Sequence, residues 1–128
     1  MADTMNNTKI FETELKNLGI ILTDKQREQF DRYYELLIEW NKVMNLTGIT
    51  DYDEVILKHF IDSLMLSEIC DVGNVSAMID VGTGAGFPGI PIKIVYPHIN
   101  AILLDSLNKR LKFLNTVIEE LGLESVQT

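Results

Sequence analysis

The chain has 128 residues, enough for one domain of common size or part of a larger one; 46% hydrophobic against 23% charged residues permits a core and argues against disorder. Its net charge of −8 argues against broad, nonspecific nucleic-acid binding, while leaving room for a specific RNA docked by a local field. A single cysteine, Cys70, excludes an intramolecular disulfide and a Cys-rich metal centre, and His59 and His98 are too isolated to suggest a zinc site. The opening MADTMNNTKIF lacks the basic and long apolar regions of a signal peptide, and no apolar run approaches a membrane span. The expectation is a cytoplasmic protein with no membrane partner.

The first part of the chain reads as helices. Phe11, Leu15 and Leu18 recur at helical spacing, and Gly19 is placed to end that helix. Thr23 with Gln26 makes a capping-box pattern that opens a long helix striped by Phe30, Tyr34, Leu37 and Asn41, with Tyr33 and Trp40 flanking. These aromatics are expected in the core and not on a base-stacking surface. Asn45-Leu46-Thr47 then breaks the helix, because Asn and Thr side chains compete for local backbone hydrogen bonds. Thr50 and Asp53 introduce a third helix through about Glu68, with Val55, Ile56, Phe60 and Leu64 inward. His59 and Asp62 lie three apart on one face of it, close enough to hydrogen-bond each other as a structural pair. Residues 70–76 look like the connection into a second layer.

From Met78 the pattern becomes strand, helix, strand, helix. The run DVGTGAGFPGIPIKI, Asp80 to Ile94, sets Gly82, Gly84 and Gly86 between a short apolar strand and an apolar helix. Glycine tolerates the positive φ of a tight turn and lets a ligand lie against bare backbone, and free N–H groups at the start of the next helix are expected to face that ligand. Pro88 and Pro91 fall in that helix's first turn, where a missing N–H matters least. A second apolar run, NAILLDS, ends in Asp105, 23 residues after Gly82. An acidic residue at about that offset sits at the end of the second strand of a βαβ unit, where it can accept hydrogen bonds from ribose hydroxyls.

Two ligands compete for this turn: a nicotinamide or flavin dinucleotide, and S-adenosylmethionine. The dinucleotide pattern wants its third glycine where Phe87 stands, and the extra glycine comes one residue early, at Gly86. The turn therefore favours S-adenosylmethionine, which has no pyrophosphate but has an amino-acid tail to cradle. An ordinary glycine turn between a buried strand and a helix is the third reading, weakened by Asp105 at the expected offset. Beyond it Lys109, Arg110 and Lys112 concentrate positive charge on what is either a solvated helix face or a local phosphate contact. That helix runs from about Leu107 to Leu121 and ends at Gly122, and Ser125 to Thr128 look like the opening of a third strand. Right-handed crossovers make these elements one half of a parallel sheet, with an edge and apolar surface left open, as in a truncated protein.

Four ordered blocks carry a family resemblance: MNLTGI (Met44–Ile49), KHFIDSL (Lys58–Leu64), DVGTGAGFPGIPIKI (Asp80–Ile94) and LLDSLNKRLKFL (Leu103–Leu114). Together they resemble the bacterial small-subunit ribosomal RNA methyltransferase G family, also called glucose-inhibited division protein B. The resemblance implies an α/β fold in which a helical N-terminal segment, residues 1–76, precedes a Rossmann-like S-adenosylmethionine-dependent methyltransferase sheet. Residues 77–128 would supply only the first βαβα unit of that sheet. It further implies methylation of N7 of a guanosine in 16S ribosomal RNA, in the RNA or the small ribosomal subunit, and no DNA substrate. On the family's pattern Gly82 and Phe87 contact the cofactor, with Asp80 and Gly84 in the same loop, and Asp105, Ser106 and Leu107 line its ribose and adenine end. Asn45, Thr47, Lys58, His59 and Asp62 match blocks on the RNA side, and the local charge of Lys109 and Arg110 places these two with the substrate residues. Lys58 stands where the family often has Arg, which keeps the charge and loses bidentate geometry. A nicotinamide-dependent oxidoreductase fragment and a non-catalytic RNA- or protein-binding module are the competing readings.

Overall fold

A computed structural model describes residues 2–128, with side chains described from Lys9 onward. Helices α1 (Ala2–Asn17) and α2 (Asp24–Met44) come first. The Thr23 hydroxyl accepts from the Gln26 N–H, and the Gln26 side chain accepts from the Thr23 N–H, so the capping box forms as the sequence predicts. The same Gln26 amide donates to the carbonyl oxygens of Ile94 and Val95, and Gln29 donates to the Leu121 carbonyl. Two side chains at the start of α2 thus close the C-terminal ends of two helices of the sheet layer.

The predicted third helix is interrupted. It begins as α3 (Tyr52–Val55), widens into a π-helical turn over Ile56–Ile61, resumes as α4 (Asp62–Leu64), and breaks before α5 (Leu66–Ile69). Thr50 and Asp53 do not cap it. The N-cap position is Asp51, and its side chain makes no capping bond. A 3-10 turn, Val72–Asn74, leads into β1 (Ala77–Val81), then α6 (Gly89–Val95), β2 (Asn100–Leu104), α7 (Asn108–Leu121) and β3 (Val126–Gln127).

The sheet is parallel with order β1-β2-β3, and Ile79 faces Ile102 while Val81 faces Leu104. Two right-handed crossovers running in one direction put α6 and α7 on the same face. The covered face carries Ala101 and Leu103, both buried; the other leaves Ile79, Val81, Ile102 and Leu104 at 37–77% exposure. This is the open apolar surface expected from the sequence.

One main core joins the helical segment to the sheet layer, from Phe11 and Leu15 through Phe30, Leu37, Phe60 and Leu64 to Ile90, Leu103, Phe113 and Leu121. The α2 stripe is rotated slightly from the expected one. Tyr33 and Leu36 are fully buried, whereas Tyr34 is half-buried and donates to the Thr50 carbonyl. Trp40 meets Phe113 edge-on at 5.7 Å. Phe30 and Tyr33 are therefore core residues, and Tyr34 and Trp40 pack against that core.

Candidate functional site

The glycine turn is built from β1, β2 and a prop beneath. Gly82 (φ 71°) and Gly84 (φ 59°) adopt the left-handed conformation that side chains disfavour, and a Cβ at either would meet nothing within 4 Å. Both therefore present bare backbone to open space. Their own N–H groups are engaged: Gly82 and Thr83 donate to the Leu104 carbonyl at 2.8 and 3.0 Å, and Gly84 donates to Asp105 Oδ2 at 2.9 Å. From below, the buried Tyr33 hydroxyl donates to the Ala85 carbonyl at 2.6 Å. Burial, reinforced by the Asp80 charge, raises the Tyr33 pKa well above the usual phenol value and keeps that donor protonated.

Asp80 closes the turn from inside. Its Oδ2 accepts from the Thr83 hydroxyl at 2.6 Å and from the Gly89 N–H at 3.0 Å. This corrects one sequence expectation, because the start of α6 offers no free N–H to a ligand. Pro88 and Pro91 have none, Gly89 is spent on Asp80, and Ile90 donates to the Gly86 carbonyl at 2.7 Å. The turn can hold a ligand by shape and by its carboxylates, and lacks the amide crown that grips a pyrophosphate.

Asp105 lies at the end of β2 with its side chain only 2% exposed. Its Oδ1 accepts from the Leu107 N–H at 3.0 Å, its Oδ2 takes the Gly84 N–H, and Arg110 Nη1 stands 3.5 Å away. Burial pushes its pKa up, but the Leu107 and Gly84 N–H bonds and the Arg110 charge outweigh that and hold it below the ordinary carboxylate value. The carboxylate is thus ionised and fixed beside Gly84. Ser106 and Leu107 follow it on the exposed surface. Lys109 and Lys112 are exposed, and of the basic trio only Arg110 reaches the turn.

A second cluster sits where the π-turn meets the glycine turn. A cavity of about 420 Å³ is lined by Lys58, His59, Asp62 and Ser63 on the helical side and by Phe87 and Pro88 on the other. The His59 ring lies parallel to Phe87, 4.4 Å between centroids and 11° between planes. The pair His59–Asp62 expected from spacing does not form. Instead His59 Nε2 meets the Thr47 hydroxyl at 2.8 Å, and Thr47 is itself held by Asn41 Oδ1 and the Ile49 N–H. Burial lowers the His59 pKa, with the Asp62 charge opposing. Asn45 takes another part: exposed and left-handed at φ 50°, it ends α2 as its C-cap.

The structure therefore brings Asp80, Gly82, Gly84 and Asp105 together at the turn, and Lys58, His59 and Asp62 with Phe87 at the cavity. Tyr33, Thr83 and Ser63 escape a reading by motif. The first looks like core by its spacing, and the other two act through single hydroxyl bonds that no pattern announces.

Comparison with known proteins agrees with this geometry. The family model described as rRNA small subunit methyltransferase G matches residues 26–128. Three similar relatives are all named ribosomal RNA small subunit methyltransferase G. That of Lachnoclostridium phytofermentans is 53% identical over 122 residues, covering 95% of this chain and 50% of the relative. That of Staphylococcus haemolyticus is 53% identical over 122 residues, covering 95% and 51%. That of Exiguobacterium sibiricum is 52% identical over 120 residues, covering 94% and 50%. The chain spans about half the length of these curated relatives. A match across both the helical layer and the glycine turn, at this identity, leaves one assignment: the chain belongs to the rRNA small subunit methyltransferase G family.

Proposed function

We propose that the turn at Asp80–Phe87 with Asp105 holds S-adenosylmethionine, and that the protein to which this sequence corresponds transfers its methyl group to N7 of a guanosine in 16S ribosomal RNA. The observation that carries the cofactor is the turn itself. Two left-handed glycines face open space beside an ionised, nearly buried carboxylate, and no N–H at the start of α6 is left for a pyrophosphate. A dinucleotide needs that N–H and a small residue where Phe87 stands. The donor set suits a ribose and a cationic sulfonium.

When bound, S-adenosylmethionine supplies an electrophilic methyl group. Asp105 would hold the ribose, and Ser106 with Leu107 would border the adenine. Gly82 and Gly84 give the amino-acid tail an approach that any Cβ would block. Asp80 keeps the turn closed, and Tyr33 keeps it level from the helical layer. Guanine N7 carries a lone pair and no proton, so no side chain has to act as a base. The protein's task is alignment of nitrogen, carbon and sulfur, an effect that supplies roughly 7–11 kcal/mol in favourable cases. Lys58, His59, Lys109 and Arg110 face the RNA in this reading, and the small ribosomal subunit or its 16S RNA is the partner.

Calorimetric titration of S-adenosylmethionine into this chain, with NADH in parallel, tests the assignment. Saturable binding of the methyl donor is expected, weakened at least about tenfold in Asp105→Ala through loss of charged hydrogen bonds. Binding of NADH in its place contradicts the reading.

A further inference from the structure

The cavity between the π-turn and Phe87–Pro88 has polar groups of two kinds. His59 and Ser63 are already engaged: His59 Nε2 is paired with Thr47, and the Ser63 hydroxyl donates to the His59 carbonyl. Lys58 and Asp62, both exposed, line the same cavity, and neither side chain makes a hydrogen bond or an ion pair among the described residues. Facing them are the Phe87 ring and Pro88, with Met65 and Leu66 at 45% and 38% exposure along the rim. The opening is thus a slot with apolar walls, one unpaired carboxylate and one unpaired ammonium.

Such a slot selects its occupant. Apolar walls suit the faces of a planar ring. A carboxylate accepting two parallel N–H bonds needs two adjacent donors on one edge. Among the four RNA bases only guanine offers that pair, N1–H beside the exocyclic N2–H. Adenine and cytosine set a ring-nitrogen acceptor beside their amino group, and uracil flanks its single N–H with two carbonyls. An acceptor-only side chain repels each of these alternatives. Lys58 provides the charge for a neighbouring phosphate as a flexible point cation.

We propose that this slot seats the guanine of the RNA, with its N1–H and N2–H edge on Asp62. The inference rests on the methyltransferase reading above and adds the group that chooses the base. N7 lies on the side of the purine opposite N1 and N2. A base gripped at Asp62 therefore turns N7 away from α4, toward the wall that Phe87 and Pro88 of the glycine turn provide. The π-turn is the device that makes this possible. Its wider winding carries Lys58 and His59 past their helical positions and ends where Asp62 begins α4. His59 is a positioning residue here, a wall locked by Thr47 and not the reader of the base.

The test exchanges the base by exchanging one atom pair. Guanosine, adenosine and xanthosine monophosphates are titrated into this chain while the NMR signals of His59, Asp62 and Phe87 are followed, and S-adenosylmethionine is titrated separately. The unaltered chain should prefer the guanine nucleotide over the other two by about tenfold, the worth of one good bidentate contact. Asp62→Ala removes both acceptors, so the preference for the guanine nucleotide should be lost and the three nucleotides should bind alike. Asp62→Glu keeps both acceptors and should keep guanine first. Equal binding of guanine and adenine nucleotides by the unaltered chain, or an Asp62→Ala chain that still prefers guanine, overturns the proposal. Failure of S-adenosylmethionine to bind overturns the cofactor reading instead, so the two ideas fail separately.

Discussion

The distance from the glycines singles out Asp105, and the structure shows it holding Gly84 and Leu107. That double bonding has a pH signature. The folded pKa is lower than the ordinary 3.8, so this carboxylate contributes stability above 3.8 and loses it as the pH falls from there through the folded value. Asp105→Asn removes the titration. The gap in unfolding free energy between the two proteins, followed by denaturant melts, should therefore narrow as the pH drops below about 3.8. A gap that stays constant across that range would show the carboxylate to be unperturbed. Gly89 is legible only in hindsight, because it stands outside the glycine run that attracts attention. A Cβ there would lie 2.5 Å from Leu103 Cδ2 and 2.8 Å from Asp80 Oδ2, so the residue is small to let Asp80 reach its N–H. The missed His59–Asp62 pair teaches the opposite lesson. Helical spacing assumed a regular α-helix, and the π-turn hands His59 to Thr47 instead.

At the scale of elements, the sequence announces those with strong periodicity or caps. The capping box of α2, the end of α7 at Gly122, and the strand positions flanking the glycine turn all appear as spacing predicts. What pattern does not announce is how α2 supports the turn. Tyr33 passes for a flanking aromatic, yet it is fully buried, stacked on Phe60 at 5.3 Å and bonded to the Ala85 carbonyl. Tyr33→Phe keeps the ring and removes only the hydroxyl. It should cost about 1–3 kcal/mol by leaving a buried carbonyl unpaired, read in a thermal or denaturant melt. It should also weaken S-adenosylmethionine binding, although Tyr33 does not line the glycine side of the turn. A stable variant with unchanged affinity would separate the helical layer from the cofactor site.

For the whole molecule, the main core fuses the helical segment with one face of the sheet, and the other face carries Ile79, Val81, Ile102 and Leu104 side by side in matched register. A contiguous apolar strip of this kind promotes association. Sedimentation of the chain at rising concentration should show mass above the 14.5 kDa of one copy, and Val81→Lys should restore that mass. A chain that stays single at all concentrations would show the strip to be tolerated in water. The fold class was readable because the strand, glycine turn, helix and acidic strand end occur in a fixed order. The cavity at the π-turn was not, because it depends on a helix irregularity and on a ring stack between residues far apart in sequence.

The central claim is that the glycine turn and the end of β2 form one cofactor seat. Amide NMR of this chain during addition of S-adenosylmethionine tests it directly. Saturable shifts concentrated at Gly82, Gly84 and Asp105 to Leu107, with the groove around Gly19 and Ile21 unmoved, are the result expected from the proposed site. Shifts confined to that distant groove, or no saturable shift at the turn, would contradict it.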